Sequence, residues 1–372
     1  MISVNQAIQI ISESINTNSE LVDIAVGRAI SAVLANDVKS PINMPPFRQS
    51  AMDGYALNLY NEKEYSLIGE VKAGDNENPI LEPGEALRIF TGAPVPDTAN
   101  AVIMQEKTSV LDSKLIIHSD VKSEENIRPM GEQVRKGYLA LKKGTKLNPA
   151  AIAYLSTLGI TKVNVIKKPK IAIVVTGNEL AKSGHELQYG QIYESNAVML
   201  KTALKQLGYD DVSIYQIEDD YEKTLMLLDN VILKNDVVLV SGGISVGDYD
   251  FVGKALNELK VDELFYKVKQ KPGKPLYFGK KEGKVIFALP GNPAASLSCF
   301  YIYVLLALEK LSGNSNFQLN RVRAISKSDF TKIGERAQFL KAIYRNNEVE
   351  ILDGQSSSML HTFALSNALV YL

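Results

Sequence analysis

The sequence predicts a multidomain protein of α/β and β parts, organised around a central three-layer, doubly wound α/β domain. Three observations carry this prediction. The 372 residues exceed the ~100–200 typical of one domain. From about residue 169, strand-like runs alternate with amphipathic helical patterns, as in a parallel sheet covered on both faces. Between about 44 and 136 the texture is instead short β-type runs broken by Gly, Pro, Asn and Asp clusters, which predicts a β-rich insertion domain.

Taken in order, residues 3–15 predict a helix capped by Ser3, with Ala7, Ile8, Ile11 and Ile15 as its apolar stripe. A second helical pattern covers 23–35, and Pro41, Pro45 and Pro46 then exclude a long helix. Short β runs follow at 65–68, 86–89, 101–104 and 115–118, and 149–158 predicts a helix that returns toward the N-terminal segment. The continuous apolar run KIAIVVT (170–176) predicts a strand buried on both faces. Helices are expected at 195–207, 221–233 and 251–259, and further strands at 212–217, 236–240 and 285–289. Asn292 and Pro293 suit the cap and first turn of a long helix. Strands at 321–325, 339–344 and 349–352 complete a small C-terminal β domain. The expected division is therefore 1–44 with 137–167 (N-terminal helical linker), 45–136 (β-rich insertion), 168–311 (α/β) and 312–372 (C-terminal β).

Composition narrows the function. A net charge of −1 argues against a nucleic-acid binder, which normally carries a basic excess. Cys299 is the single cysteine, so neither a disulfide framework nor a cysteine metal cage is expected, and its apolar setting suggests a small buried hydrophobe. The three histidines lack metal-ligand spacing. The longest apolar run, 299–308, is far short of the ~20 residues that span a bilayer. The first residues do not read as a signal peptide, so no membrane partner and a cytoplasmic location are expected.

Ligands of open α/β sheets bind outside the carboxyl ends of the strands, and the unusual residues of this sequence fall there. The run 241–250 is glycine-rich. Gly242, Gly243 and Gly247 would let backbone N–H groups approach an anion, with Ser241 and Ser245 adding hydroxyls. Alone it also reads as a tight turn, and it is neither a Walker A loop nor a GxGxxG fingerprint. In KPGKP (271–275), Lys271 and Lys274 sit on a stiff loop suited to a compact oxyanion or phosphate, or form a charged surface turn. Glu179, Asp219 and Asp250 end three successive strands. Asp219 and Asp250 could be helix caps; converging on an anion, the three suggest a Mg²⁺ site shared with ligand phosphate.

Together these residues resemble the molybdopterin molybdenumtransferases, the bacterial MoeA proteins and the E domain of gephyrin-type proteins. The resemblance rests on PPFRQSAMDGYA (45–56), RIFTGAPVPDTANAVIMQE (88–106), TGNEL (176–180), GQIYESN (190–196), SGGISVGDYDF (241–251), KPGKP (271–275) and LPGNP (289–293), in the family's order. It implies a four-part, L-shaped subunit with an elongated N-terminal linker domain and a molybdopterin-binding α/β domain, in a homodimer. It also implies the reaction: molybdate and adenylylated molybdopterin give molybdenum cofactor with release of AMP, with Mg²⁺ required. The family's essential acidic residues fall on Asp53, Glu179, Asp219 and Asp250, and its TGAPVP threonine on Thr91. Lys271 and Lys274 are implied near molybdate and pterin phosphate, with Arg336, Ser357 and Ser358 near the oxyanion. Asn196, Pro290 and Pro293 of the shared motifs are expected to contact substrate. Asp53 and Thr91 are expected to act across the dimer interface, and an adenylyltransferase of the preceding step is the expected partner.

The sequence departs from the family at Gln133, where Gly-Glu-Asp is common, at PPFRQS, and at Ala295, where many relatives have serine. No longer C-terminal tail is expected after SNALVYL. Two alternatives remain: the adenylyltransferase itself, which shares a related α/β domain, and a non-catalytic scaffold of gephyrin type. The β insertion with TGAPVP and KPGKP argues against the first; the four carboxylates and two lysines argue against the second.

Overall fold

The computed structural model describes residues 1–244 and 251–372. Two units emerge: Met1–Asp23, Ile30–Ala35 and Asn164–Leu372 form one, and Ile24–Ala29 with Asn36–Val163 the other. The first contains α1 (Val4–Ser14), β1 (Ile171–Thr176), α2 (Asn196–Gln206), β2 (Val212–Ile217), α3 (Tyr221–Lys234), β3 (Val237–Ser241), α4 (Phe251–Glu258), β4 (Asp262–Tyr266), β5 (Tyr277–Lys281), β6 (Lys284–Leu289) and α5 (Pro293–Leu311).

The sheet order is β2-β1-β3-β6-β5-β4. The first four strands are parallel, as the alternating pattern predicts. The edge is antiparallel instead, because β5 returns on β6 and β4 on β5. The apolar run of β1 is buried at every position, and alternate residues serve opposite layers. Ile171, Ile173 and Val175 pack with residues of α1, α2 and α5, while Ala172 and Val174 pack with residues of α3 and α4. Each such large aliphatic side chain contributes roughly 1.5–3 kcal/mol.

Helix α1 begins with a capping box: the Gln6 N–H donates to Ser3 Oγ (3.2 Å) and the Ser3 N–H to Gln6 Oε1 (2.9 Å). Its buried residues are Val4, Ala7 and Ile11. Helix α5 is long and apolar enough to cross a membrane, but 78% of it is buried, the state of a core helix. Asn292 precedes it without making a side-chain cap.

Two expectations require correction. Residues 23–35 are not a helix: Leu21–Ala25 is a strand followed by a short 3₁₀ turn, Val26–Arg28. Val22, Ile24 and Val26 repeat at period two, which competes with the helical pattern, and Gly27 weakens a helix further. Residues 321–324 are exposed and form no strand; only Ile325–Ser326 pairs. Of residues 321–324 only Val322 is β-branched, so the run has little strand propensity of its own.

The C-terminal sheet centres on Ala337–Arg345, which pairs antiparallel with Glu348–Ile351 and Ala368–Tyr371. It also pairs in parallel with Gln270–Lys271. The second unit holds a six-stranded sheet ordered Ala101–Met104, Gly54–Leu57, Glu85–Ile89, Glu64–Val71, Lys114–Ile117 and Thr108–Leu111. Leu57, Tyr65 and Leu115 fill one face, and Ala56, Leu87 and Val102 the other. Its helix Pro149–Thr157 is capped by Asn148 Oδ1, which accepts from the Ala151 N–H at 2.9 Å.

Candidate active site

A cleft of about 1140 Å³ opens at the carboxyl ends of the parallel strands, in the first unit. Glu179 follows β1, Asp219 follows β2, Ser241 ends β3 with Gly242 and Gly243 after it, and Pro290 and Pro293 follow β6; all line the cleft. Asn196, Lys271, Lys274, Arg336, Ser357 and Ser358 line it too. Ser245, Gly247 and Asp250 lie outside the described residues.

The acidic wall is shaped by close approaches. The Glu179 carboxylate folds back over Gly177, whose φ of +149° favours glycine; a Cβ there would lie 2.6 Å from Glu179 Oε2. The Asp219 N–H donates to Asn178 Oδ1 at 3.0 Å, which links the ends of β1 and β2. The cap of α3 is Asp220, which accepts from the Lys223 N–H at 2.8 Å. Asp219 is thereby not the cap, and its carboxylate is left at the cleft.

The glycine wall is equally tight. A Cβ on Gly242, at φ +97°, would lie 2.7 Å from the Thr176 carbonyl oxygen. Beneath it, the Thr176 hydroxyl is buried and has no partner among the described residues. Asn196 Nδ2 donates to Ser241 Oγ (2.8 Å) and to the Gly291 carbonyl (2.7 Å). A carbonyl can only accept, so this sets the amide's orientation and leaves Asn196 Oδ1 buried and without a partner among the described residues. Each orphaned group costs about 1–3 kcal/mol, a cost that a bound ligand can offset.

The basic wall is held from below. Gln270 is fully buried; its Nε2 donates to the Gly273 carbonyl at 3.1 Å and its Oε1 accepts from the Tyr303 hydroxyl. Gly273 has φ +81°, and a Cβ there would lie 2.6 Å from Cys299 Sγ. Burial pushes the Cys299 thiol up to about 12, so it stays neutral and packs as a small hydrophobe. The pairing of Gln270 with Ala337 brings Arg336 beside the lysine loop. Asn292 Nδ2 donates to Ser357 Oγ at 2.8 Å, and the Ala294 N–H to the Ser357 carbonyl at 3.2 Å. These two bonds hold the serine loop at the start of α5.

The other two site residues lie in the second unit, where they form a cluster of their own. Asp53 Oδ1 accepts from the Thr91 N–H (2.7 Å) and from its hydroxyl (2.8 Å). These bonds, the backbone one first, with the Arg88 charge adding, hold the Asp53 carboxyl below the usual range. The two unusual motifs are partners: the Gly92 N–H donates to Ser50 O (2.9 Å), Ser50 N–H to Ala93 O (3.0 Å) and Val95 N–H to Arg48 O (2.9 Å).

Comparison with known proteins bears on the whole chain. The MoeA N-terminal region (domains I and II) matches residues 2–159, and a probable molybdopterin binding domain matches 172–310. A molybdopterin molybdenumtransferase of Staphylococcus epidermidis is 33% identical over 350 residues, covering 92% of this chain and 83% of the relative. This chain belongs to the molybdopterin molybdenumtransferase family. One from Staphylococcus aureus is 33% identical over 352 residues, with the same coverage of 92% and 83%. The structure of a molybdopterin biosynthesis MoeA protein from Pyrococcus horikoshii is similar over 100% of this chain and 95% of that one, with a TM-score of 0.83 and 30% identity.

The molybdenumtransferase family makes this chain a transferase of molybdenum cofactor biosynthesis. Sequence reasoning did not name Thr176, Gln270, Gln355 or Ser356 as site residues and read Asn292 only as a helix cap, yet all five line the cleft. Thr176 carried a signal, a hydroxyl ending a fully buried strand; the others are ordinary polar residues in sequence. Mg²⁺ takes one or two carboxylates together with phosphate oxygens and water. Glu179 and Asp219, on one wall of one cleft, suit that donor set. Among the described residues no group of three or more His, Cys, Asp or Glu could hold a metal.

Proposed function

We propose that this protein inserts molybdenum into adenylylated molybdopterin in a Mg²⁺-dependent reaction that forms molybdenum cofactor and frees AMP. The observation that carries the reading is one cleft with Glu179 and Asp219 on one wall and Lys271, Lys274 and Arg336 on another. Glu179 and Asp219, with Asp250 assigned on the strength of its motif, would hold Mg²⁺, which would neutralise charge on the phosphoanhydride. Ser241, Gly242 and Gly243, with Ser245 and Gly247, cradle the pterin–phosphate part, and Asn196, Pro290 and Pro293 frame it. Lys271, Lys274, Arg336, Ser357 and Ser358 concentrate molybdate beside the dithiolene sulfurs. Two molybdenum–sulfur bonds form as one molybdate oxygen leaves with the two thiol protons as water, coupled to hydrolysis of the anhydride that frees AMP. Positioning of two anionic reactants supplies much of the rate. Asp53 and Thr91 are assigned to the same reaction on the strength of their motifs.

The proposal includes a cytoplasmic homodimer with the four-part division 1–44 with 137–167, 45–136, 168–311 and 312–372, supplied by an adenylyltransferase that makes the activated pterin. The test is purified protein with adenylylated molybdopterin, molybdate and Mg²⁺, scored by AMP. Release that stops on chelation of Mg²⁺ and in Asp219→Asn is expected. Ligand binding without AMP release would replace the catalytic reading with a scaffold one.

A further inference from the structure

The loop 354–359 brings Ser356, Ser357 and Ser358 to the cleft, and a lysine holds it from behind. Lys341 lies in the strand Ala337–Arg345 and is 3% exposed. Its ammonium donates to the carbonyl oxygens of Gly354 (2.8 Å), Ser356 (3.1 Å) and Met359 (3.0 Å). Gln355 clamps the same residue: its Oε1 accepts from the Lys341 N–H at 2.9 Å and its Nε2 donates to the Lys341 carbonyl at 2.8 Å.

This is an unusual use of a charged group. Burying an ammonium costs several kcal/mol unless an opposite charge accompanies it. Among the described residues Lys341 has three carbonyl partners and no carboxylate. Burial lowers its pKa, as expected for a cation without a counter-ion. A methionine would fill the space without that cost. The carbonyls it gathers belong to the loop whose serines line the cleft beside Arg336.

We propose that Lys341 is a positioning residue for the oxyanion half of the reaction: its three bonds to loop carbonyls set the shape of the serine loop that lines the cleft. This rests on the molybdenum-insertion reading, but its test does not need turnover. Binding of molybdate alone to wild type, Lys341→Met and Lys341→Arg is measured by equilibrium dialysis. The Kd of adenylylated molybdopterin for the same three proteins is measured in the same way, without Mg²⁺. The expected result is a roughly tenfold or greater weakening of molybdate binding in Lys341→Met, the loss of charge-assisted bonds. Kd for the pterin should stay within about twofold, and Lys341→Arg should recover part of the molybdate affinity. A uniform loss of both constants, or a lower melting temperature with unchanged molybdate binding, overturns the proposal. Where Lys341→Met does not fold, Gln355→Met, which loosens the loop but keeps the ammonium, gives the same readout: unchanged molybdate affinity overturns it. Wild type that binds molybdate but releases no AMP defeats the molybdenum-insertion reading while leaving the Lys341 comparison measurable.

Discussion

Asp53 and Thr91 are 38 positions apart in sequence, yet one hydroxyl and one N–H of Thr91 converge on a single carboxylate oxygen. Hydrogen bonds to the charged form favour it, so the Asp53 carboxyl stays ionised to lower pH than usual. Any stabilisation from this is present above the unfolded-state pKa and is lost as pH falls through the depressed folded value. Thr91→Val removes the hydroxyl and leaves the backbone bond. The Asp53 midpoint should then rise part of the way to its ordinary value in a carboxyl-carbon NMR titration; an unmoved midpoint would show that the hydroxyl contributes nothing. The adjacent pair Asp219 and Asp220 carries a related lesson. Either could cap α3 by composition, and the backbone geometry selects Asp220. A one-residue choice of this kind depends on where the helix begins, which periodicity locates only loosely.

At the scale of elements, the Pro- and Gly-rich motifs that looked irregular in sequence are regular against each other. Residues 48–50 bond with 92–95, and Gly54–Leu57 lies between Glu85–Ile89 and Ala101–Met104. A Cβ on Gly54 would lie 1.8 Å from the Ile103 carbonyl oxygen, so this glycine is required by strand pairing. Gly54→Ala should destabilise the protein by about 3 kcal/mol, read as a lower urea midpoint; a wild-type midpoint would mean that the strands separate without cost. The strands β4 and β5 escaped the sequence reading. Asp262 and Glu263 at the start of β4 are exposed, and its pattern is that of an edge, with little apolar periodicity. The long helix α5 was legible from Asn292, Pro293 and its apolar length. The use of Asn292 was not: its side chain serves Ser357 rather than the helix.

Over the whole molecule the net charge is only −1, so attraction for a dianion is local to the cleft that Lys271, Lys274 and Arg336 line. The screening length falls from ~30 Å at 0.01 M salt to ~8 Å at 0.15 M. The kcat/KM for molybdate should therefore fall steadily over that range, with a smaller slope in Lys274→Ala. Equal slopes for the two proteins would remove Lys274 from the oxyanion's approach.

Much of this protein was determined by its sequence alone. The buried parallel strands, the glycines at their ends and the residues of the shared motifs are local features, set by periodicity and backbone sterics that act between near neighbours. Tertiary structure alone decided what meets across long separations. Gln270–Lys271 pairs beside Ala337, 67 positions along the chain from Gln270, and the serine loop rests on α5. Lys341, with no motif to mark it, supports that loop. These contacts follow from which sheet edges and carbonyls remain unpaired after the local elements have formed, a property of the assembled chain that no short stretch of sequence contains.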